Sequence, residues 1–141
     1  MQCIAKQSIP ILRKFNPQDL SNMVWAFEKV GSSNPQLFDA VANSIVAMND
    51  LGHFKPQNLA NTVLAFAKVG ESHPRLFRTV ADHIVSENNL GQFNEQGLAN
   101  TVWAFARTRE LHPLLFIKVA DHIISASNLG QFSLQNLAYT V

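Results

Sequence analysis

The sequence predicts an all-α fold, namely a right-handed α-solenoid of stacked helix-turn-helix units with a 39-residue period. Two observations support this prediction. Phenylalanine recurs at a constant spacing of 39 residues, and each interval holds two segments whose apolar residues are spaced as on a helix. A fixed period of this size is typical of repeat arrays, in which neighbouring units bury their apolar faces together. The recurring residues are Phe15, Phe54, Phe93 and Phe132.

The period divides the chain into three complete units between two partial ones. Because the sequence stops inside a repeated phrase, we expect it to be a fragment of a longer array, and a targeting segment could then lie elsewhere. The predicted boundaries are 1–14 for the remnant of a preceding repeat, 15–53 for repeat 1, 54–92 for repeat 2, 93–131 for repeat 3 and 132–141 for a truncated repeat 4.

The first helix of a unit is predicted from its end signals and its apolar spacing. Asn16 is a suitable N-cap residue, and Pro17 suits the first helical position, where a missing N–H does no harm. Gly31 is a natural stop for the same helix. On a helical wheel one side is apolar, and we expect that side to face the core. Its residues are Leu20, Met23, Val24, Ala26, Phe27 and Val30.

The second helix of a unit begins with the pair Asn34-Pro35. In the next two units a histidine stands in the place of Asn34, so we expect His73 and His112 to act at the starts of their helices. Glycines at 52, 91 and 130 mark the turn into each following unit. The apolar residues of this helix are Leu37, Phe38, Val41 and Ile45.

Opposite the apolar side, each first helix carries one narrow line of two amides, an often aromatic residue and a cation. We call this line, over all units, the polar stripe. Stacked helices would place the lines side by side, about 8–10 Å apart. The polar stripe consists of Gln18, Asn22, Trp25 and Lys29, then Gln57, Asn61, Leu64 and Lys68, then Gln96, Asn100, Trp103 and Arg107, with Gln135 and Tyr139 in the fourth unit.

The chemistry of the polar stripe suits single-stranded RNA. Amides bond to base edges, aromatic faces stack on bases, and Lys or Arg neutralises phosphate. Helical-repeat proteins that read about one base per unit use two or three side chains in this way. The predicted RNA-binding residues are Gln18, Asn22, Trp25, Lys29, Gln57, Asn61, Lys68, Gln96, Asn100, Trp103 and Arg107.

Structural roles for the same residues stay open. Trp25 and Trp103 could pack between neighbouring helices, which the leucine at the equivalent position 64 favours. The asparagines could form a hydrogen-bonded ladder between repeats. The cations stand in the last turn of each helix, where positive charge suits the helix dipole in any case.

Composition limits the choice of function. Apolar residues make up 47% of the 141 residues, charged residues only 15%, and the net charge of +1 is low for a nucleic-acid-binding protein. This balance favours the alternative of a protein–protein interaction scaffold of the α-solenoid type. The single cysteine excludes an internal disulfide and fits a reducing compartment. No apolar run is long enough to span a membrane, and we expect no membrane partner.

An enzyme is not expected. Asp82-His83 and Asp121-His122 are neighbours in sequence, so their side chains diverge on a helix and do not converge on a metal ion. The sequence has no glycine-rich phosphate loop and no arrangement that would activate a nucleophile. We therefore predict no catalytic residues, no metal site, no cofactor and no small-molecule substrate.

The phrase "FNPQDLSNMVWAFEKVG" and its copies "FKPQNLANTVLAFAKVG" and "FNEQGLANTVWAFARTR" resemble the octotricopeptide-type repeats of organellar RNA-binding proteins. Similar repeats occur in proteins with a terminal RAP domain and in kinetoplastid RNA-editing accessory proteins. The resemblance implies RNA binding in mitochondria or chloroplasts, for RNA processing, stability or translation. Two residues depart from the repeated pattern: Arg109 replaces the glycine found at 31 and 70, and Gly97 lies inside a first helix.

Overall fold

The computed structural model describes residues 14–32, 34–48, 51–87 and 90–128. Within these ranges it contains six α-helices, a short 3-10 helix at Leu90–Gln92 and no strand, which confirms the all-α class. The predicted truncated repeat 4, with Gln135 and Tyr139, lies outside the described residues, as does nearly all of the remnant predicted at 1–14. The helices are α1 (Pro17–Lys29), α2 (Pro35–Val46), α3 (Pro56–Val69), α4 (Pro74–Glu87), α5 (Glu95–Arg107) and α6 (Pro113–Asn128).

The six helices form two layers. In one layer α1 packs against α3, and α3 packs against α5. In the other layer α2 packs against α4, and α4 packs against α6. The first helices of predicted repeats 1 to 3 therefore lie side by side, and so do their second helices. The core lies between the layers because both contribute to a single cluster of buried apolar side chains.

The predicted cap residues start the helices. Asn16 Oδ1 accepts the Asp19 N–H at 2.7 Å, and Asp19 Oδ2 accepts the Asn16 N–H at 3.2 Å. This reciprocal pair satisfies two N–H groups that the first helical turn leaves without partners. Asn34 Oδ1 likewise accepts the N–H of Leu37 at 3.0 Å at the start of α2.

The two histidines have the predicted role at the starts of α4 and α6. His73 Nδ1 accepts the N–H of Leu76 at 3.4 Å, and His112 Nδ1 accepts the N–H of Leu115 at 3.2 Å. The imidazole thus stands in for the asparagine oxygen of the first unit, because either atom offers a lone pair to a free backbone N–H.

Edge-to-face phenylalanine pairs join the second helix of one unit to the first helix of the next. The ring centroids of Phe38 and Phe66 are 4.9 Å apart with planes at 78°, and those of Phe77 and Phe105 are 4.9 Å apart at 66°. Since the pair recurs at equivalent positions, consecutive units share one joint. All four predicted core residues of the second helix, Leu37, Phe38, Val41 and Ile45, are fully buried.

Two residues predicted to face the core are exposed instead. Val30 is 66% exposed because α1 ends at Lys29 and Val30 is the residue that follows the helix. Ala26 is exposed, whereas its equivalents Ala65 and Ala104 are buried. The preceding first helix covers those two alanines, and no described helix precedes α1. The prediction for Ala26 and Val30 was therefore wrong.

Candidate nucleic-acid interface

The polar stripe lies on the layer of first helices, with its residues on α1, α3 and α5. None of its described residues belongs to the buried core. Asn61, Leu64 and Asn100 are half-buried. The exposed members are Gln18, Asn22, Trp25, Lys29, Gln57, Lys68, Gln96, Trp103 and Arg107.

The side-chain amides of the stripe are free of protein partners in the described part of the chain. The side chains of Asn22, Asn61 and Asn100 make no hydrogen bond to any described residue. The ladder of asparagines between repeats, considered from the sequence, is therefore not formed within these residues. Each amide keeps both its donors and its acceptor available to a ligand.

Stacking of the units does not bury the tryptophan position. Ser21 Oγ donates to the carbonyl oxygen of Asn58 at 3.1 Å, so this side of α1 faces α3. Trp25 follows Ser21 by one helical turn and remains 46% exposed beside α3. Trp103, with no helix beyond α5 in the described ranges, is also 46% exposed. Both indole rings are therefore nearly half exposed in the described part of the chain.

The cations of the first two units share one acidic partner that the sequence-based prediction missed. Glu28 is mostly buried, and its Oε1 lies 3.9 Å from Lys29 Nζ and 3.6 Å from Lys68 Nζ. The second of these contacts crosses from α1 to α3. Lys29 Nζ also lies 5.4 Å from the centroid of the Trp25 ring, a cation–π distance.

Arg107 has no ion pair with any described residue. Its unit has Ala106 where the first unit has Glu28. The available positive charge of the stripe is therefore greatest at the C-terminal end of α5. The only sequence signal for this difference was the single glutamate beside the stripe at position 28.

The histidines and acids do not gather into a metal site in the part of the molecule that the structure covers. Asp82, on α4, has its Oδ1 2.9 Å from His112 Nε2, so it contacts the next unit and not the adjacent His83. Within the described ranges, no three His, Cys, Asp or Glu side chains could hold a metal ion together. None of the described helices is long and apolar enough to cross a membrane.

An apolar groove of about 940 Å³ runs between α5 and α6, with Trp103 at its edge. Phe116 is half-buried and Ile123 exposed along it. The equivalent residues one unit earlier, Phe77 and Ile84, are buried. On α3 and α4, the equivalent face is covered by the next helix pair, α5 and α6. The groove therefore lies on the corresponding face of α5 and α6.

Comparison with known proteins identifies a family for this chain. No curated protein sequence matches the chain. Residues 1–139 match the profile of a protein family, RESC6, described as RNA-editing substrate-binding complex 6 protein. The match extends over the three units predicted as complete and nearly all of the residues predicted as partial units. The chain therefore belongs to the RESC6 family of RNA-editing substrate-binding complex proteins.

Proposed function

We propose that this chain binds single-stranded RNA along the polar stripe, as part of an RNA-editing complex. The observation that carries the proposal is the exposure of Trp25. Its side chain remains 46% exposed beside a packed neighbour, and the ammonium group of Lys29 lies 5.4 Å from the centroid of its ring. The family match supports the same assignment, because its description names an RNA-editing substrate-binding complex.

Each unit would contact RNA with a short set of side chains. In the first and third units an indole stacks on a base, while in every unit free amides bond to base edges and a cation meets a phosphate. At about 1–3 kcal/mol per stacked base, the two indoles supply roughly 2–6 kcal/mol before ordering is counted. This corresponds to dissociation constants from roughly tens of millimolar to tens of micromolar from stacking in the three units alone.

The proposal includes a right-handed α-solenoid of octotricopeptide type, built on the 39-residue period of the sequence. Two features support it. The second helices α2, α4 and α6 start at Pro35, Pro74 and Pro113, which keep that period. The uncovered groove between α5 and α6 has the apolar residues that a further unit would bury.

We place this function in the mitochondrion, in RNA processing as part of editing, with effects on RNA stability or translation following from it. The description of the family as an RNA-editing component supports the mitochondrion, and nothing in the match favours the chloroplast. The chain would act by binding, without a catalytic step, a cofactor or a small-molecule substrate.

Charge reversal along the stripe tests the proposal. The triple variant Lys29→Glu, Lys68→Glu and Arg107→Glu should abolish binding to a labelled single-stranded oligouridylate, measured by fluorescence anisotropy over a series of salt concentrations. A matched control makes the same charge change away from the stripe, at Lys14, Arg75 and Lys118. Circular dichroism verifies that both variants fold. Equal affinity and equal salt dependence of the triple variant and the parent chain would refute the proposal.

A protein-binding surface is a second candidate function, and one observation favours it. Leu114 and Ile117 on α6 are 47% and 55% exposed. Earlier units have polar or charged residues at both positions, for example Arg75 and Arg78, which are exposed although α6 packs beside α4. Leu114→Glu with Ile117→Glu should prevent assembly with RNA-editing complex proteins and leave RNA affinity unchanged. Normal assembly of this variant would show that Leu114 and Ile117 do not form a protein-binding surface.

A further inference from the structure

Arg109 has the backbone conformation that glycine has in the two earlier units. Its φ angle is +59°, and it is the only non-glycine residue with positive φ in the described ranges. Gly31 and Gly70, at the equivalent positions, have φ of +72° and +78°. Each of the three closes the turn after a first helix. In the third unit the closing hydrogen bonds run from the Arg109 N–H to the Ala106 carbonyl at 3.2 Å and from the Glu110 N–H to the Phe105 carbonyl at 3.0 Å.

Neither backbone conformation nor packing accounts for an arginine at this place. The left-handed region is unfavourable for residues with a Cβ atom, which crowds the neighbouring carbonyl oxygen. A Cβ atom built on Gly31 or Gly70 meets no other atom within 4 Å, so the equivalent turns show no close contact that would favour a Cβ atom there. A strained and exposed residue such as Arg109 points to a role outside the fold.

The guanidinium group of Arg109 is available to a ligand. Arg109 is exposed and forms no ion pair with any residue that the structure describes. The neighbouring carboxylate of Glu110 accepts the Ser72 hydroxyl at 3.0 Å instead.

Arg109 also changes the charge balance at the C-terminal ends of the first helices. The first two units have one cation and one acid each in this place, and the third has two cations and one acid. Arg109 is the cation in excess. The residues concerned are Glu28 and Lys29, then Lys68 and Glu71, then Arg107, Arg109 and Glu110.

We infer that Arg109 is an additional RNA-contacting residue, which with Arg107 binds the phosphate backbone at the end of α5. The inference rests on the proposed RNA-binding function and adds a site that lies outside the polar stripe. Arginine suits this task because its planar group donates paired hydrogen bonds to phosphate oxygens. The strain at Arg109 then persists because a glycine would remove the contact.

The variant Arg109→Gly distinguishes a structural role from RNA binding, because thermal stability should rise while RNA affinity should fall. Relief of the backbone strain should raise the melting temperature by roughly 3–5 °C. Affinity for a labelled oligouridylate should fall roughly three- to tenfold, and the slope of log affinity against log salt should become shallower by about 0.7. Arg109→Lys should keep most of the affinity without the gain in stability. Lys118→Gln, on α6, removes one positive charge elsewhere and should leave affinity unchanged.

Each contrary result has a distinct meaning. If Arg109→Gly is more stable and binds RNA with unchanged affinity and slope, the inference is wrong while the proposed function stands. An equal loss in Lys118→Gln would mean that net charge alone sets the affinity, which also refutes the inference. If the parent chain shows no salt-dependent RNA binding at all, the proposed function itself fails.

Discussion

His112 connects two consecutive units through the two nitrogens of its ring. Nδ1 accepts the backbone N–H of Leu115 at 3.2 Å, and Nε2 lies 2.9 Å from the carboxylate of Asp82 on α4. Because Nδ1 must offer a lone pair to that N–H, the proton of the neutral ring lies on Nε2, which donates to Asp82. One side chain therefore starts α6 and attaches it to the preceding second helix.

The variant His112→Ala should lower the free energy of unfolding by about 1–2 kcal/mol, since it removes a helix cap and a hydrogen bond to a carboxylate. His73→Ala is the matched comparison. Its ring caps α4 in the same way, at 3.4 Å from the Leu76 nitrogen, but the nearby acid, Asp39 at 3.8 Å, stands at a different repeat position from Asp82 and is farther away, so this variant should lose less. Urea denaturation followed by circular dichroism measures both. A larger loss for His73→Ala would contradict this account of the joint.

The phenylalanine joint should contribute more to stability than the histidine. Phe66 is fully buried and packs edge-to-face on Phe38, so Phe66→Ala should cost about 3–5 kcal/mol of unfolding free energy. Phe116→Ala serves as the control because Phe116 is only half-buried at the uncovered groove, and it should cost clearly less. Denaturant titration of both variants gives the comparison. If both variants lost the same unfolding free energy, the phenylalanine pair between units would not explain the loss in Phe66→Ala.

The exposed indole of Trp25 should act in RNA binding and hardly in folding. Trp25→Ala should weaken oligouridylate binding by about 1–3 kcal/mol, the usual value of one stacked base. The melting temperature should change little, because the ring is 46% exposed. Trp25→Phe keeps an aromatic face and should retain most of the affinity. A large loss of thermal stability in Trp25→Ala, with unchanged affinity, would assign the ring to packing.

Neutralising Glu28 should strengthen RNA binding. This carboxylate lies within 4 Å of both Lys29 Nζ and Lys68 Nζ, so Glu28→Gln releases two cations for phosphate. We expect a tighter complex and a salt dependence that is steeper by up to about 1.4, the value for two added contacts on a single strand. Asp121→Asn on α6 removes an equal negative charge outside the stripe and should have no effect. An identical gain in RNA affinity in both variants would mean that net charge, and not the release of Lys29 and Lys68, causes the effect.

Local and periodic features were predictable from the sequence. Helix starts depend on a cap residue and the three positions after it, so Asn16, Asn34 and even the capping histidines could be recognised from their places before the helices. The exposed position of the polar stripe follows from helical spacing, because the residues opposite an apolar side point to solvent.

Features that depend on neighbouring helices could not be predicted in this way. Ala26 has nearly the same local sequence as the buried Ala65, and what separates them within the described residues is that α3 packs against an earlier first helix, α1. The pairing of Glu28 with Lys68 links residues on different helices, which no spacing within one helix reveals.

By itself, the sequence determined an all-helical protein with two helices in each unit, because the apolar spacing and the cap residues act within single helices. Only the tertiary structure decided which charges stay free and which aromatic faces stay open. Those properties depend on distances between side chains of different units, as for Glu28 between two lysines and Trp25 beside α3.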